Sequence, residues 1–596
     1  MTDPFIQLAA IGVVGLGAQW LAWRIRLPSI LLLLVAGFLL GPVFGMIDPD
    51  TLLGDALFPL VSLAVGIILF EGGLTLNLKD LPVAGQVILR LITVGALATW
   101  VVSALGARYI LGFSWPIAIL TGAILIVTGP TVVGPLLRQI RPKGTAGKIL
   151  KWEGILIDPV GAVLAVLVFE VIRLEEISNV TSFLLLGVVQ SLLVGLTFGL
   201  LGAGLLIFML KRYLVPDHLQ NGVTLLLVVG LFALSDVLVH ESGLLTVTVM
   251  GIAMANQPWV PVRHILEFKE NLQVLLIGIL FIMLAGRINT AILSNITWEA
   301  LLFVLLLIVV ARPLGVLLST WRTPVGAKER VFLMWMAPRG IVAAAVASVF
   351  AFELAELGYS EAEQLAAAVF LVIVGTVVFY GLMADPVARR LGLSEQNPQG
   401  VLIVGAHPFA RALAAQLGQL NIRALLLDNN YSHIADSRLA GLEAHYGDAL
   451  SDETLTELDL GGIGRMLALT GNVEVNTLAT LNFPELFGRA QVYRLPPANQ
   501  GAPAAPANLP GRALFGQNVS YDLLDSCMDD GATIKATTLT PSFTYADYQE
   551  HYRHNAIPLG IVTDNARLTL FTADNRPIPK AGQTIIGLIP KDSDSG

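Results

Sequence analysis

Asp158 stands in Glu153-Gly154-Ile155-Leu156-Ile157-Asp158-Pro159, directly before the apolar run Val160 to Phe169. A carboxylate inside a membrane span costs roughly 3 kcal/mol or more, and such groups are usually functional. The competing reading is a salt-bridged structural acid, and Glu153 is available for that role. The two acids are five residues apart, so about 500° of helical rotation places them on different faces. They are expected to do different jobs. Arg339 also falls within a span, and an arginine there needs an anion. Glu153 and Arg339 are therefore expected to form a structural ion pair, which leaves Asp158 unpaired. Its oxygens, the Thr128 hydroxyl and carbonyls freed around Gly129 would form an all-oxygen cage for a hard monovalent cation. Proton and cation would compete for one carboxylate, which is the minimum mechanism of exchange. With one such acid the simplest stoichiometry is one for one, and electroneutral.

The elements that must hold these groups are membrane spans. Of 596 residues, 55% are hydrophobic and 13% charged, against about 25% charged in soluble domains. Thirteen spans are expected, near 4–23, 28–45, 55–75, 84–108, 115–138, 146–172, 180–210, 220–239, 242–257, 267–288, 298–320, 328–352 and 361–388. Loops after odd-numbered spans hold the basic residues, among them Arg24, Arg26, Arg138, Arg141, Lys143, Lys148, Arg263, Arg322, Arg389 and Arg390. Positive charge stays cytoplasmic, which puts the N-terminus outside and the C-terminal region inside. The start Met-Thr-Asp-Pro-Phe lacks the basic residues of a cleaved signal peptide, so the first span is read as a transmembrane helix.

Two spans carry breakers: Thr128-Gly129-Pro130 in the fifth and Ala337-Pro338-Arg339-Gly340 in the twelfth. Backbone groups freed there need a protein-lined cavity. Their seven-span offset fits two inverted six-span repeats, and interrupted helices at matching positions mark a transporter's ion site. Arg90 and Arg312 are expected to snorkel or pair locally. Asp236, His240 and Glu241 read as a solvated interfacial cluster, with pH sensing as the alternative.

From about residue 398 the chain reads as an ordinary soluble α/β region. A strand, Val401 to Val404, leads through Gly405-Ala406-His407-Pro408-Phe409-Ala410 into a helix, and a second strand ends in Asp428. That is a βαβ unit with an acid about 20 positions on, as dinucleotide folds require. Of the glycine fingerprint only Gly405 survives, with His407 and Ala410 in the other two places. Side chains there would hinder a pyrophosphate, which argues against catalytic use of NAD. A Pro/Ala-rich linker is expected over 495–512. Cys527, the single cysteine, excludes a disulfide framework. A net charge of −8 argues against nucleic acid as a partner. Glu550, His551 and His554 read as a solvated helix face, with a metal as the alternative.

With these residues in place, spans one to thirteen resemble the NhaP-like branch of the monovalent cation/proton antiporters. The resemblance rests on Phe70-Glu71-Gly72-Gly73, the Glu153…Asp158-Pro159 helix, Ser242-Gly243 through Gly251 to Asn256, and Pro338-Arg339-Gly340. It implies a membrane all-α fold with broken crossing helices (NhaA-like), Asp158 as the exchange site, Glu71 and Thr128 as ion ligands, and Glu153 with Arg339 as the structural pair. The family usually has Asn where this chain has Ile157, Asp where it has Gly129, and Ser where it has Gly154. Fewer strong ligands lean toward K+ over Na+, and Ile157 keeps the electroneutral inference.

Tyr446-Gly447-Asp448-Ala449 and Ala468-Leu469-Thr470…Asn476 make 400–494 resemble an RCK (TrkA-N, KTN-like) regulatory domain, while 513–596 resembles the β-rich TrkA-C module. By resemblance Asp428 would hold a ribose, Asp448 would lie near an adenine, and Gly405 would allow the tight turn beside His407. The regulatory ligand would be an adenine nucleotide: AMP, ADP, ATP or NAD(H). The alternative is an empty, purely dimerising domain.

The expected whole is a K+/H+ antiporter, or a Na+/H+ antiporter, not an enzyme. It would be a homodimer in the lipid of a bacterial inner membrane, serving pH homeostasis and regulated by its tail. A different class, an RCK-gated cation channel, lacks a Thr-Val-Gly-Tyr-Gly-type filter loop. A membrane-tethered NAD enzyme lacks both the glycine loop and an evident base.

Overall fold

The structure is a computed structural model that describes residues 3–25, 27–140, 142, 144–173, 180–260, 262–287, 297–359, 361–394, 398–451, 454, 458, 460–497, 511–563 and 566–591. Arg26, Arg141 and Lys143 of the charge argument lie outside the described residues, as do the side chains of Arg138 and Arg263 and most of the Pro/Ala linker, 498–510. The chain divides into two compact units, Met1–Ser394 and Glu395–Gly596.

Among the described residues of the first unit, eight helices are long and apolar enough to cross a membrane. Pro4–Ile25, Leu57–Leu74, Ala146–Arg173 and Gln364–Arg390 are among them. Five shorter apolar helices accompany them: Ser29–Val43, Trp115–Ile124, Ser242–Ala255, Asn271–Gly286 and Val342–Ala355. The expected fifth and twelfth spans are each broken. Trp115–Ile124 stops and Pro130–Ile140 starts anew, while Ala327–Met334 stops and Ile341–Glu356 starts anew. Proline explains the first restart: Pro130 opens its helix, where a missing N–H costs nothing. The Val132 and Val133 N–H groups both turn back to Gly129 O at 3.0 Å. In the second break Gly340 is extended, with ψ near −177°.

The second unit holds a six-stranded parallel sheet in the order β3-β2-β1-β4-β5-β6. Its strands are β1 (Gly400–Val404), β2 (Ala424–Asp428), β3 (Glu443–Tyr446), β4 (Ile463–Ala468), β5 (Val492–Arg494) and β6 (Arg512–Ala513). Strand β1 is buried throughout, as its unbroken apolar run requires of a strand covered on both faces. Arg512, expected in the linker, instead pairs with Tyr493 at the sheet edge. A four-stranded antiparallel sheet follows, in the order β7-β10-β8-β9. Its strands are β7 (Thr533–Thr538), β8 (Ile557–Val562), β9 (Leu568–Leu570) and β10 (Thr584–Ile589). Phe409 and Leu413 from beside the first sheet share one core with Leu559 and Leu588 of the second.

Candidate ion-exchange site and tail cavity

The Ala146–Arg173 helix carries both acids, and its small residues decide where each one points. Gly154, Asp158 and Gly161 stand at i, i+4 and i+7, one face of a helix. A Cβ on Gly154 would lie 3.6 Å from Pro130, and one on Gly161 would lie 2.3 Å from the Val127 side chain. That face therefore packs on the broken span, and Asp158 sits between the two contacts, level with Thr128–Pro130. Asp158 is 1% exposed. Among the described residues its Oδ1 has no hydrogen-bond partner, and neither does the Thr128 hydroxyl. Thr131, one turn further on, has the same character, buried with an unpartnered hydroxyl; a hydroxyl one helical turn from the break was the signal for it. Glu71 is buried as well, at 2% exposure.

The ion pair differs from expectation. Glu153 pairs with Arg312, not Arg339: Arg312 Nη1 donates to Glu153 Oε1, and Nη2 donates to Oε2 at 2.9 Å. The fork is completed by Arg312 Nε, which donates to Leu333 O at 2.9 Å. Arg312 is 6% exposed and does not snorkel. Arg339 meets its need differently. Its Nη1 donates to Ile126 O at 3.1 Å and Val127 O at 3.0 Å, and its backbone N–H donates to Thr376 Oγ1 at 3.2 Å. The broken span itself supplies the negative potential, because carbonyls past a helix C-terminus carry the negative end of its dipole. A cavity of about 10 Å³, room for about one water, brings Thr128, Glu153, Arg312 and Arg339 to one wall; Asp158 and Glu71 do not line it.

The two breaks lock together. Gly129 N–H donates to Pro338 O at 3.0 Å. A Cβ on Gly129 would lie 2.3 Å from Gly340 Cα.

In the second unit, Gly405, His407, Asp428 and Asp448 all line one cavity of about 350 Å³, at the carboxyl ends of the parallel strands. Strand order reverses there, between β1 and β4, the place where open α/β sheets bind ligands. Gly405 takes φ +106°, a conformation glycine alone adopts freely. Asp428 is spent internally: its Oδ2 accepts from Ala406 N at 2.7 Å and meets His433 Nδ1 at 3.0 Å, while Oδ1 accepts from Asn430 N at 2.9 Å. His407 is buried, with Nε2 2.8 Å from Leu469 O. Burial holds its imidazole below the usual histidine range. Tyr521 stands edge-on to it, ring centroids 4.9 Å apart; nothing in the sequence around Tyr521 announced a place in this cavity.

The transmembrane sodium/hydrogen exchanger model matches residues 10–390. The chain belongs to the sodium/hydrogen exchanger family. A TrkA-N domain follows over residues 401–494. The exchanger is 27% identical over 401 residues to the K(+)/H(+) antiporter NhaP of Alkalimonas amylolytica, across 66% of this chain and 68% of that protein. It is also 27% identical over 361 residues to Na(+)/H(+) antiporter 1 of Methanocaldococcus jannaschii, across 58% of this chain and 84% of that one. The structure of the sodium proton antiporter MjNhaP1 from the same organism at pH 8 shares its fold, with a TM-score of 0.57 and 24% identity over 65% of this chain and 98% of that chain.

The exchanger is thus a multi-pass monovalent cation/proton antiporter with an RCK-type regulatory domain, and not an enzyme. The channel and tethered-enzyme readings fall with that. Its departures from the family pattern acquire a physical setting. Gly129 has no room for the aspartate usual there, because Gly340 lies against it. Gly154 does have room for the usual serine, since its Cβ direction meets only ordinary contact.

Proposed function

We propose that the chain exchanges one K+ for one H+ per cycle, both competing for the Asp158 carboxylate. The observation that carries this reading is Asp158 itself, buried with Oδ1 unpartnered among the described residues while Arg312 satisfies the neighbouring Glu153. Thr128 adds a hydroxyl on the same broken span, and Glu71 and the Thr128 carbonyl beside Gly129 complete the oxygen set; the Ile126, Val127 and Gly129 carbonyls already accept hydrogen bonds. Arg312, rather than Arg339, supplies the structural partner of Glu153. One titrating acid keeps the cycle electroneutral. Preference for K+ rests on the absence of a carboxylate at Gly129, which leaves a weaker field, and agrees with the name of the Alkalimonas relative. Na+ is the second reading, favoured by the name of the Methanocaldococcus relative.

In this structure Asp158 is closed to solvent, so exchange needs a movement that opens it alternately to the two sides. We place thirteen passes over 1–392 in two inverted repeats, the N-terminus outside and the tail in the cytoplasm of a bacterial inner membrane, in a homodimer serving pH homeostasis. Residues 400–494 and 513–596 form the RCK_N-like and RCK_C-like parts of the tail, and its cavity takes an adenine-bearing regulatory ligand. Proteoliposomes carrying Asp158→Asn decide the central claim. K+- and Na+-driven proton flux is expected to vanish while the melting temperature holds, and undiminished flux refutes it.

A further inference from the structure

The tail cavity presents acceptors where a nucleotide's phosphates would need donors. Around the Gly405 turn, Gly405 N–H is spent on Leu427 O at 2.7 Å and Ala406 N–H on Asp428 Oδ2 at 2.7 Å, and Pro408 has none. Around the next turn, Leu469 N–H goes to Val404 O, Thr470 N–H to Asn476 Oδ1 and Asn472 N–H to Thr470 Oγ1. At the third, Gly447 N–H goes to Asp428 O and Leu450 N–H to Asp448 Oδ1. No lysine or arginine lines the cavity among the described residues, and two aspartates do. Of the two histidines that line it, His433 spends Nδ1 on Asp428 and His407 faces Leu469 O.

His407 sharpens the point. A carbonyl only accepts, so the ring nitrogen facing Leu469 O must carry the proton. The other nitrogen, Nδ1, is then a buried acceptor, and it has no partner among the described residues. Tyr521 adds an aromatic wall to the cavity, lying close enough to Gly471 that a Cβ there would meet its ring at 3.1 Å.

We infer that this cavity takes an uncharged nucleoside and rejects its phosphorylated forms. The ligand must bring donors, as ribose hydroxyls and an exocyclic amine do, and must not bring an anion next to Asp428 and Asp448. This rests on the cavity being a regulatory ligand site and names its ligand class. AMP, ATP and NAD(H) are disfavoured on charge, because no lysine or arginine lines the cavity among the described residues while Asp428 and Asp448 do; the uncapped helix N-terminus at His407 offers backbone N–H groups alone.

The test is calorimetric titration of the full-length exchanger in lipid nanodiscs with adenosine, AMP, ATP and NADH. Adenosine is expected to bind at least tenfold more tightly than AMP, with ATP and NADH weaker again. AMP or NADH binding as tightly as adenosine overturns the ligand class while leaving the cavity as a ligand site. No heat and no melting shift with any of the four overturns both. Asp448→Arg, at an exposed rim position, supplies the missing cation and is expected to reverse the order of adenosine and AMP; an unchanged order refutes the electrostatic argument.

Discussion

Replacing Arg312 by glutamine leaves the Glu153 carboxylate in a site where both partners of the pair are under a tenth exposed. Removing one member of a buried pair costs about 3–5 kcal/mol, because the surviving charge keeps its desolvation penalty and loses its compensation. Leu333 O also loses the donor it now has in Arg312 Nε. At roughly 2 °C per kcal/mol, the lower end for chains of a few hundred residues, the melting temperature should fall by about 6–10 °C. Glu153→Gln alone should cost a comparable amount, since it strands the guanidinium. The double variant, Glu153→Gln with Arg312→Gln, should recover much of the loss, with a coupling near the upper end of about 0.5–3 kcal/mol for contacting residues. The matching cycle between Glu153 and Arg339 should give a smaller coupling, because Arg339 donates to carbonyls instead. Thermal unfolding of detergent-solubilised variants, followed by tryptophan fluorescence, measures all three. A Glu153–Arg339 coupling equal to or larger than the Glu153–Arg312 one refutes the pairing and the role assigned to Asp158's neighbours.

Gly129→Ala drives a methyl to 2.3 Å from the Gly340 backbone, and overpacking of this kind costs about 1–3 kcal/mol or more; exchange in proteoliposomes should be lost, and wild-type flux would contradict the contact. Thr128→Val removes a buried hydroxyl that has no partner among the described residues; the cation concentration for half-maximal exchange should rise several-fold with little change in melting temperature. His407 is held below its ordinary range by burial, so its neutral form is the folded one. The stability it contributes is present above the unfolded value near 6.5 and is lost as pH falls below it. Melting of the full chain should therefore drop as pH falls below about 6.5, and His407→Gln should flatten that part of the profile.

The broken spans were legible because proline and glycine act locally: Gly129-Pro130 and Pro338-Gly340 interrupt helices wherever they fall within an apolar run. That Gly405, His407 and Asp428 lie on one cavity was legible because a strand, a glycine at positive φ and an acid at the next strand end are bound together by one βαβ unit. The partner of Glu153 was not, because it depends on which of three arginines within spans (Arg90, Arg312 or Arg339) lies across a packing interface, and the one that does is 159 residues away in sequence. Arg339 needs no carboxylate, because a broken helix supplies negative potential through its carbonyls. A better clue lay in the chain unread: Gly154 and Gly161 bracket Asp158 on one helical face, and small residues mark where another backbone comes close. That His407 Nδ1 is an acceptor depends on the ring's tautomer, which only the carbonyl beside it reveals.

The glycines set back to back at the crossing leave no slack. Pro338 caps an amide of one interrupted rod, Arg339 caps two carbonyls of that same rod, and hydrocarbon could replace none of these bonds. Sliding one rod along the other would strand all of them at once. In the alternating-access cycle proposed above, the crossed pair would travel as a single rigid piece, and the slip that admits water to one face or the other would occur along surfaces that bear no such latch.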